Sequence, residues 1–515
     1  MKNTRTHNAF LVMLSVGIRQ FLNLILQFVS RIIFIRILGA EYLGLNGLFS
    51  NVLSLLSLSE LGIGSAISFY LYQPLADNDT ERIKSLMQFY KNCYRAVGFT
   101  MIGIGVCIMP FLHLLVNLEQ NVPENLYLVY MLYLLNTACS YFMYAYKQIL
   151  PAANQEQYKV EKINIIFLCC NCITDIIVLV IFKSYILYLL IKLILVFVSN
   201  IVISIMVNRN YPYIKEESVK RMSREEIGSF FRSIKDAAVF RLGSTLYNST
   251  DNILISVMLG TTIVGYYSNY FMIISMFTSL IGLFVRAFTA GIGNLMVEES
   301  KDFQYRSFLQ IDFMVFTFVS ICTVCLFQLF NSFIMLWTGS ILQDYILSQT
   351  VVAFLCISFY FDGTMQIMNI FREAGGFFRI GRSRQVAGGL CNIILSVFLG
   401  KIWGLEGIFA STAVSKGFIS VFPFVITISR YVFGKGNYDL LKIYLKHALA
   451  TVMTIVVVWY TCKKIHMTTV WNFFLEILLT LIISIAAILI FFHSSSEMKA
   501  LFERMKKIRN QKPQT

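Results

Sequence analysis

Charged residues are scarce in this sequence. Asp, Glu, Lys and Arg make up 14% of the 515 residues, and only 28 residues are acidic, whereas soluble domains contain about 25% charged residues. Hydrophobic residues account for 57% of the chain, and the mean hydropathy is +0.68. This composition excludes an ordinary soluble globular protein and indicates a polytopic membrane protein.

Paired cysteine motifs and long polar loops are also missing. The eleven cysteines are scattered without CxxC spacing or a partnering histidine cluster, so we expect packing residues rather than disulfides or a metal site. Every connection predicted on the outside is short, and the longest, around 337–345, contains only Asp344 as an acid. A membrane glycosyltransferase or polymerase needs catalytic groups on a sizeable outer loop, so we predict a protein that is not an enzyme.

Apolar runs of about 20 residues recur along the chain and predict about fourteen membrane-spanning helices. The predicted spans are 10–37, 44–73, 84–116, 124–150, 160–182, 185–207, 230–258, 262–292, 306–336, 346–371, 384–402, 405–430, 441–462 and 469–493. The predicted outside connections contain few of the 43 Lys and Arg residues, namely Arg36, Lys183, Lys401, Lys463 and Lys464. Most of the others fall in predicted inside connections, so we expect both termini to be cytoplasmic.

The sequence contains an internal repeat. LGAEYLG from Leu38 matches LGTTIVG from Leu259 at a shift of roughly 221 positions, and the same shift aligns QILPAANQ with NIFREAGG. The predicted fold is therefore an all-α polytopic membrane protein with two pseudo-symmetric six-helix lobes. The predicted divisions are an N-terminal lobe at 1–207, a basic cytoplasmic linker at 208–229, a C-terminal lobe at 230–432, two further helices at 433–493 and a basic cytoplasmic tail at 494–515.

Polar stripes run along several of the apolar spans. Helix one carries Arg19, Asn23, Gln27 and Ser30, and its repeat counterpart, helix seven, carries Arg241, Thr245, Asn248 and Asn252. Each stripe lies within an arc of about 80°. In helix eight, Arg286 shares a face with small and hydroxylic residues: Ser275, Ser279, Gly282, Thr289 and Gly293. These faces predict a solvated cavity.

Basic residues outnumber acidic ones in or beside the spans. A guanidinium group is always charged and binds phosphate through two hydrogen bonds, so the cavity is predicted to hold a phosphate or pyrophosphate. The candidate substrate ligands are Arg19, Asn23, Gln27, Arg95, Arg241, Asn248 and Arg286.

Other polar residues in the spans have two interpretations each. Three acids, Glu60, Asp251 and Asp312, are candidates for a coupling-ion site or for structural pairs, with Arg95 as the partner of Glu60. Lys192 either extends to the lipid headgroups or pairs with Asp175. Helix four carries one face with Tyr130, Tyr133, Thr137, Tyr141 and Tyr144. These tyrosines either stack on sugar rings or fill space between helices.

The stretch RIIFIRILGAEYLGLNGLFSNVLSLLSLSELGIGSAISFYLY, residues 31–72, resembles the first two helices of the polysaccharide transporter family, the Wzx-type oligosaccharide-lipid flippases. This family belongs to the multidrug/oligosaccharidyl-lipid/polysaccharide exporter superfamily. The resemblance implies a V-shaped pair of lobes that alternates between inward-open and outward-open states. In the related lipid II flippases, arginines on helices one, two and eight line the cavity. Arg19 and Arg286 match by helix and face, whereas helix two here has no Arg within its span.

The resemblance further implies export of undecaprenyl-pyrophosphate-linked oligosaccharides across the bacterial cytoplasmic (inner) membrane for O-antigen, capsule or exopolysaccharide. Expected partners are this lipid-linked substrate, membrane lipids and a polysaccharide polymerase, with no nucleic acid. No cofactor is expected apart from coupling to Na⁺, H⁺ or Cl⁻. The alternative is an ion-coupled multidrug efflux transporter of the same superfamily, although the excess of basic residues in the spans disfavours cationic substrates.

Overall fold

The structure is a computed structural model that describes residues 2–57, 63–117, 123–142, 145–215, 222–338, 346–377, 379–463 and 470–499. Within these ranges, the side chains at 2–6, 9–10, 65, 215, 233–234, 236–237, 241, 248 and 290 lie outside the description. The chain is nearly all helical (91%), and the described ranges contain no strand. The predicted all-α fold class is therefore confirmed.

Contacts divide the chain into two compact units, Met1–Gly265 and Tyr266–Thr515. The helices that begin in the first unit are α1 (Lys2–Leu38), α2 (Ala40–Leu56), α3 (Ile63–Asp77), α4 (Thr80–Ile108), α5 (Leu112–Leu115), α6 (Leu126–Phe142), α7 (Ile149–Ala153), α8 (Gln157–Ile177), α9 (Tyr185–Asn210), α10 (Arg224–Leu259) and α11 (Thr261–Arg286).

The second unit contains the remaining helices. They are α12 (Thr289–Glu298), α13 (Lys301–Thr338), α14 (Gln349–Ala374), α15 (Arg382–Ser415), α16 (Phe422–Tyr431), α17 (Asp439–Cys462) and α18 (Val470–Phe492). The most apolar segments of α13 and α14 are 56% and 67% buried, so these two helices form the centre of the unit. Helices α14, α17 and α18 all pack against α13.

The length and hydropathy of the helices are those of a multi-pass membrane protein. Within the described ranges, ten helices are long and apolar enough to span a membrane, and eleven if the bent pair of α6 and 145–153 counts as one span. The predicted span 44–73 is instead two shorter helices, α2 and α3, with 58–62 outside the description. The predicted spans 384–402 and 405–430 form one continuous run, because the chain reverses at Gly404 (φ +60°) without a loop.

Two glycine corners mark the internal repeat in the backbone. Gly39 separates α1 from α2 with φ +90°, and Gly260 separates α10 from α11 with φ +106°. Side chains rarely adopt this left-handed region, so glycine is the natural residue at both positions. The corners lie at the same end of their helices, which we call the Gly39 side. The opposite end, where α4 and α10 begin, is the Arg82 side.

The division by contacts differs from the division predicted from the repeat. Helix α10, the predicted first helix of the C-terminal lobe, belongs to the first unit because it packs along α2 and also contacts α3 and α5. The boundary at Gly265 therefore reflects this packing. The predicted lobes at 1–207 and 230–432 describe the repeat and stay a prediction.

Candidate functional site

The polar stripe of α1 is partly occupied by a neighbouring helix. Arg19 Nε lies 2.5 Å from Glu161 Oε2, and Ser30 Oγ donates a hydrogen bond of 3.0 Å to Asp175 Oδ2. Both acids are buried residues of α8. Glu161 was missed by the sequence reasoning, because a single acid at the start of an apolar run carries no signal of its partner.

The middle of the same stripe remains open. Gln27 is exposed and donates a 3.3 Å hydrogen bond to Asn23, which is half-buried. On a helix, Ser30 lies about 20° from Arg19, whereas Asn23 and Gln27 lie about 40° and 80° away. The edge of the stripe with Arg19 and Ser30 therefore faces α8, and the edge with Gln27 is the part available to a ligand.

Asp175 also pairs with Lys192, whose Nζ lies 3.6 Å from Asp175 Oδ2. The same ammonium group contacts the hydroxyl of Tyr188 and lies 4.2 Å from the centre of its ring. The pairing interpretation of Lys192 is therefore confirmed. This base has its charge compensated inside the unit.

The tyrosine face of α6 is buried. Tyr130 donates a hydrogen bond to Gly105 O, and the hydroxyls of Tyr133 and Tyr185 lie 3.0 Å apart. Tyr141 is 6% exposed, and Tyr144 lies outside the described residues. The described tyrosines therefore pack between helices, as the second interpretation predicted.

The polar faces of α2 and α10 meet. Ser54 Oγ of α2 and Ser249 Oγ of α10 are 2.8 Å apart, next to the predicted ligand Asn248. The side chains of the predicted ligands Arg241 and Asn248 lie outside the description. Asp251, a predicted coupling-ion candidate, is buried in α10 at 5% exposure.

The two glycine corners touch each other within the first unit. A Cβ atom placed on Gly44 would lie 1.9 Å from Thr261 O, and one placed on Gly265 would lie 2.3 Å from Ala40 O. At the repeat shift, Ala40 aligns with Thr261 and Gly44 aligns with Gly265. The two contacts are therefore equivalent, and a local pseudo-twofold axis on the Gly39 side relates them.

A chain of hydrogen bonds extends this corner contact. Ser256 Oγ donates to Leu115 O at 2.7 Å and lies 3.1 Å from Thr261 Oγ1, and Thr261 N donates to Asn117 O at 2.9 Å. Ser256 and Thr261 are both fully buried. The Gly39 side of α10 is thus closed by backbone packing.

A different contact holds the start of α10. Arg82 Nη2 lies 2.8 Å from Glu226 Oε1, and the two side chains are 35% and 39% exposed. Phe230 is fully buried, with ring centres 5.6 Å from Tyr70 and 5.2 Å from Phe89. The helix α10 is thus attached to α3 and α4 on the Arg82 side and to α2 on the Gly39 side.

Arg95 of α4 is exposed and has no hydrogen-bond or ion-pair partner among the described residues. Lys91, one turn earlier, is half-buried. Glu60, the predicted partner of Arg95 and a coupling-ion candidate, lies outside the described residues. Arg95 therefore remains a candidate for binding an anion.

Arg286 is the last residue of α11 and is exposed, again with no hydrogen-bond or ion-pair partner in the described ranges. It lies beside Gly282, where a Cβ atom would be 3.8 Å from Arg286 Nη2 and 3.3 Å from Gln366 Oε1. Gln366 in turn donates to Thr278 O at 3.4 Å. A cation at a helix C-terminus is stabilised by the helix dipole. Because the guanidinium group is exposed and has no partner among the described residues, it is available to a ligand.

The predicted stripe of helix eight is wrong in its last two members. Helix α11 ends at Arg286, a turn follows at 287–288, and Thr289 and Gly293 belong to the separate helix α12. The hydroxyls of Ser275 and Ser279 donate to carbonyl groups of their own helix. The face therefore offers small side chains and one free cation.

Two further acid contacts lie in the second unit. Lys416 Nζ lies 2.7 Å from Asp362 Oδ2, in a π-helical turn at Lys416–Val421. Asp312, the third coupling-ion candidate, is 3% exposed and accepts a hydrogen bond from Tyr444. Its Oδ2 lies 4.0 Å from His447 Nδ1. Asp362 was also missed, because it stands alone on an apolar helix.

The described residues contain no group of three or more His, Cys, Asp or Glu side chains that could hold a metal ion. The charged side chains of the described residues instead include acids that pair with a base and arginines that have no acidic partner. Glu161, Asp175 and Asp362 each have a cationic partner. Arg95 and Arg286 have no acidic partner among the described residues, so each leaves an exposed positive charge uncompensated.

Comparison with known proteins agrees with these features. The family model described as "Polysaccharide biosynthesis protein" matches residues 8–289. No curated protein matches the sequence.

Solved structures share the fold at low sequence identity. The lipid II flippase MurJ in an inward closed conformation is 13% identical with a TM-score of 0.70, covering 94% of this chain and 99% of that chain. An inward-facing multidrug resistance MATE family transporter of the MOP superfamily is 13% identical with a TM-score of 0.60, covering 81% and 96%. An outward-facing MATE family transporter is 13% identical with a TM-score of 0.55, covering 84% and 96%.

Proposed function

Because this chain belongs to the family of polysaccharide biosynthesis proteins, we propose that it exports undecaprenyl-pyrophosphate-linked oligosaccharides across the bacterial cytoplasmic membrane by alternating access. The sugar head and the pyrophosphate cross inside the protein while the polyprenyl chain stays in the lipid. A polysaccharide polymerase is the expected next partner on the outside. Both termini are cytoplasmic in this proposal, which places the Gly39 side outside.

The observation that carries the proposal is the pair of uncompensated arginines. Arg95 and Arg286 are exposed on helices of the membrane-spanning set, and neither has an acidic partner among the described residues. A pyrophosphate supplies the missing negative charge and accepts paired hydrogen bonds from a guanidinium group. Gln27 and Asn23 on the open edge of α1 are suitable hydrogen-bonding partners for the sugars.

The glycine corners support the alternating-access part of the proposal. A large polar head cannot pass the Gly39 side while Gly44 is in backbone contact with Thr261. Release of the substrate outward therefore requires α2 and the α10–α11 corner to separate. The backbone approach is extended by the hydrogen bonds of Ser256 and Thr261, so we expect the contact to break and re-form as a unit.

The membrane potential can contribute to export. A bound head with about two negative charges moves down an inside-negative potential, which is worth about 4.6 kcal/mol per 100 mV for the two charges. Return of the empty cationic site opposes this gain unless an ion accompanies it. We therefore propose coupling to Na⁺, H⁺ or Cl⁻ in the return step.

Multidrug efflux is the second function that the fold permits. A cationic drug needs an accessible acid that is free to bind it, yet Glu161, Asp175 and Asp362 are engaged with bases. The acids Asp251, Asp312 and Glu476 are buried between helices. The charge pattern of the described residues therefore favours an anionic cargo over a cationic one.

The test compares Arg286→Ala and Arg286→Lys with Arg430→Ala. Arg430 is a matched control, because it is also an exposed arginine in the last turn of a helix, α16. Charge-assisted hydrogen bonds contribute about 1.5–3 kcal/mol, so Arg286→Ala should lower transport of lipid-linked oligosaccharide in proteoliposomes roughly 10-fold or more. Arg286→Lys keeps the charge and loses the paired geometry, so its transport should be intermediate.

In cells, the Arg286→Ala variant should accumulate lipid-linked repeat units on the cytoplasmic side and lose surface polysaccharide, while its membrane level stays normal. Arg430→Ala should retain both surface polysaccharide and transport. Full transport by Arg286→Ala would reject the role of this arginine. Proteoliposomes that extrude a cationic dye but do not move lipid-linked oligosaccharide would reject the cargo.

A further inference from the structure

Another buried acid contact lies between α13 and α18, away from the residues assigned above. Gln328 Nε2 of α13 donates a hydrogen bond of 2.6 Å to Glu476 Oε1 of α18. Glu476 is 3% exposed, and α18 has the highest mean hydropathy of the candidate spans, 2.8. An acid in this position needs a physical reason for its stability.

If Glu476 is ionised, the hydrogen bonding between its carboxylate and the amide of Gln328 is incomplete. Glu476 Oε2 and Gln328 Oε1 are both inaccessible to solvent and have no hydrogen-bond partner among the described residues. An oxygen atom that is buried without a donor is costly, and a buried carboxylate with one donor and no cation is more costly still. The two orphaned oxygens belong to side chains that are already hydrogen-bonded to each other. A single change, in the protonation of the carboxyl group, can therefore account for both.

Apolar side chains surround the contact. Val324, one turn before Gln328, forms a buried cluster with Val458 and Cys462 of α17. Leu479 of α18 packs against the same cluster, close to Glu476. No lysine or arginine of the described residues lies within ion-pair distance of Glu476. Such surroundings favour the neutral form of a carboxyl group.

We propose that Glu476 is a proton-binding site that Gln328 closes. A proton on Oε2 lets the carboxyl group donate to Gln328 Oε1, while Gln328 Nε2 continues to donate to Oε1. One proton thus satisfies both orphaned oxygens and forms a ring of two hydrogen bonds between α13 and α18. Release of the proton leaves a buried charge and an unpaired amide oxygen, so proton occupancy controls how firmly α18 is held.

Ionisable groups near the site are few. Cys462 of α17 is close enough to interact electrostatically with Glu476, and Cys325 lies one turn from Gln328 on α13. Lys463, at the end of α17, lies 5.2 Å from the ring centre of Trp459. Lys464 and His466, in the connection to α18, lie outside the described residues.

Asp312 provides a comparison on the same helix. It accepts a hydrogen bond from Tyr444, and neither of its carboxyl oxygens is a buried atom without a partner among the described residues. Glu476 has one amide donor only. The orphaned carboxyl oxygen therefore distinguishes the α13–α18 contact from Asp312, and the proton proposed there does not depend on the cargo of the proposed function.

Infrared difference spectroscopy of the purified full-length protein in nanodiscs at neutral pH tests the proposal. The carbonyl stretch of a protonated carboxyl group is separate from the carboxylate bands. Wild type should show such a band, Glu476→Gln should lose it, and Asp312→Asn should retain it. Gln328→Leu should shift the band to higher frequency, because the carboxyl proton then has no acceptor.

Glu476→Gln is a mild change, because an amide pair restores both hydrogen bonds of the ring. The midpoint of thermal unfolding of Glu476→Gln should match that of wild type at neutral pH. As the pH is raised and the proton leaves Glu476, the wild-type midpoint should fall, whereas the midpoint of Glu476→Gln should not. A spectrum of Glu476→Gln that retains every protonated-carboxyl band would overturn the proposal. So would a wild-type midpoint that rises with NaCl and not with choline chloride, since the site would then hold Na⁺. If Glu476→Gln does not fold, the Gln328→Leu band shift decides the question alone.

Discussion

The close approach of Gly44 to Thr261 makes a sharp prediction for Gly44→Ala. The added Cβ atom would lie 1.9 Å from Thr261 O and 2.8 Å from Thr261 C. Both are backbone atoms, so no flexible side chain can move away. Van der Waals contact between such atoms needs roughly 3.5 Å, so α2 and the α10–α11 corner must move apart by about 1.5 Å.

The energetic effect follows from this displacement. Inserting a methyl group into a closely packed site costs typically about 1–3 kcal/mol, and a clash with rigid backbone belongs at the upper end. A cost of about 2–3 kcal/mol lowers the population of the closed corner roughly 30- to 150-fold relative to an open one. The helix α2 itself gains, because alanine is a better helix former than glycine by about 0.8–1.0 kcal/mol.

Cysteine accessibility measures the opening. Ser256 is fully buried at the corner, and Ser256→Cys is a conservative reporter. In the protein that retains Gly44, this cysteine should resist a membrane-impermeant maleimide added from the Gly39 side. Adding Gly44→Ala should allow labelling, read by mass spectrometry at this position so that the native cysteines remain in place.

Gly103→Ala is the matched control. Gly103 also lies within a helix, α4, and a Cβ atom there meets nothing within 4 Å. The control should leave the labelling of position 256 unchanged. A folded Gly44→Ala protein in which position 256 is as protected as before would refute the corner as a closing contact.

Three further changes test the remaining contacts of the first unit. Gly265→Ala should expose position 256 in the same way as Gly44→Ala, because its Cβ atom would lie 2.3 Å from Ala40 O; protection of position 256 would contradict the twofold relation. Arg82→Ala should speed hydrogen exchange in the first turns of α10, with Arg224→Ala as the control. The hydrogen bonds from Ser223 N and Arg82 hold the pKa of Glu226 below its usual value. The contact between Arg82 and Glu226 should therefore persist at pH values above the usual carboxyl pKa of about 4.3. It should be lost as the pH falls through the lowered pKa. A double-mutant cycle of Arg19→Gln and Glu161→Gln, read by thermal unfolding, should give a coupling energy of about 0.5–3 kcal/mol, and additive effects would reject the pair.

The sequence was most informative where a pattern repeats. The alignment of Gly39 with Gly260 predicted two equivalent corners, and both adopt positive φ. Apolar length predicted most of the spans, whereas the orientation expected from the charge of the loops stays a prediction. Breaks inside a span were missed, such as the turn after Arg286, because Ala287 and Phe288 are as compatible with a helix as with a turn.

Partners across helices were harder to predict than polarity. The stripe on α1 was visible from its spacing, yet the pairing of Arg19 with Glu161 depends on which helix packs beside α1. The same limit hid the partners of Asp362 and Glu476, since one acid in an apolar run has no periodicity. Residues that repeat along a helix define a face, but long-range packing decides whether that face meets a ligand or another helix.

The two ends of α10 differ in the physics that holds them. On the Gly39 side the contact is backbone packing at Gly44 and Gly265, which salt does not screen. On the Arg82 side the ion pair with Glu226 is partly exposed, and such pairs contribute about 0–1 kcal/mol and weaken as salt rises. Phe230 supplies the remaining attachment there through its buried ring. The Arg82 side is therefore the attachment that rising salt weakens, which in the proposed orientation makes opening toward the cytoplasm the salt-sensitive step.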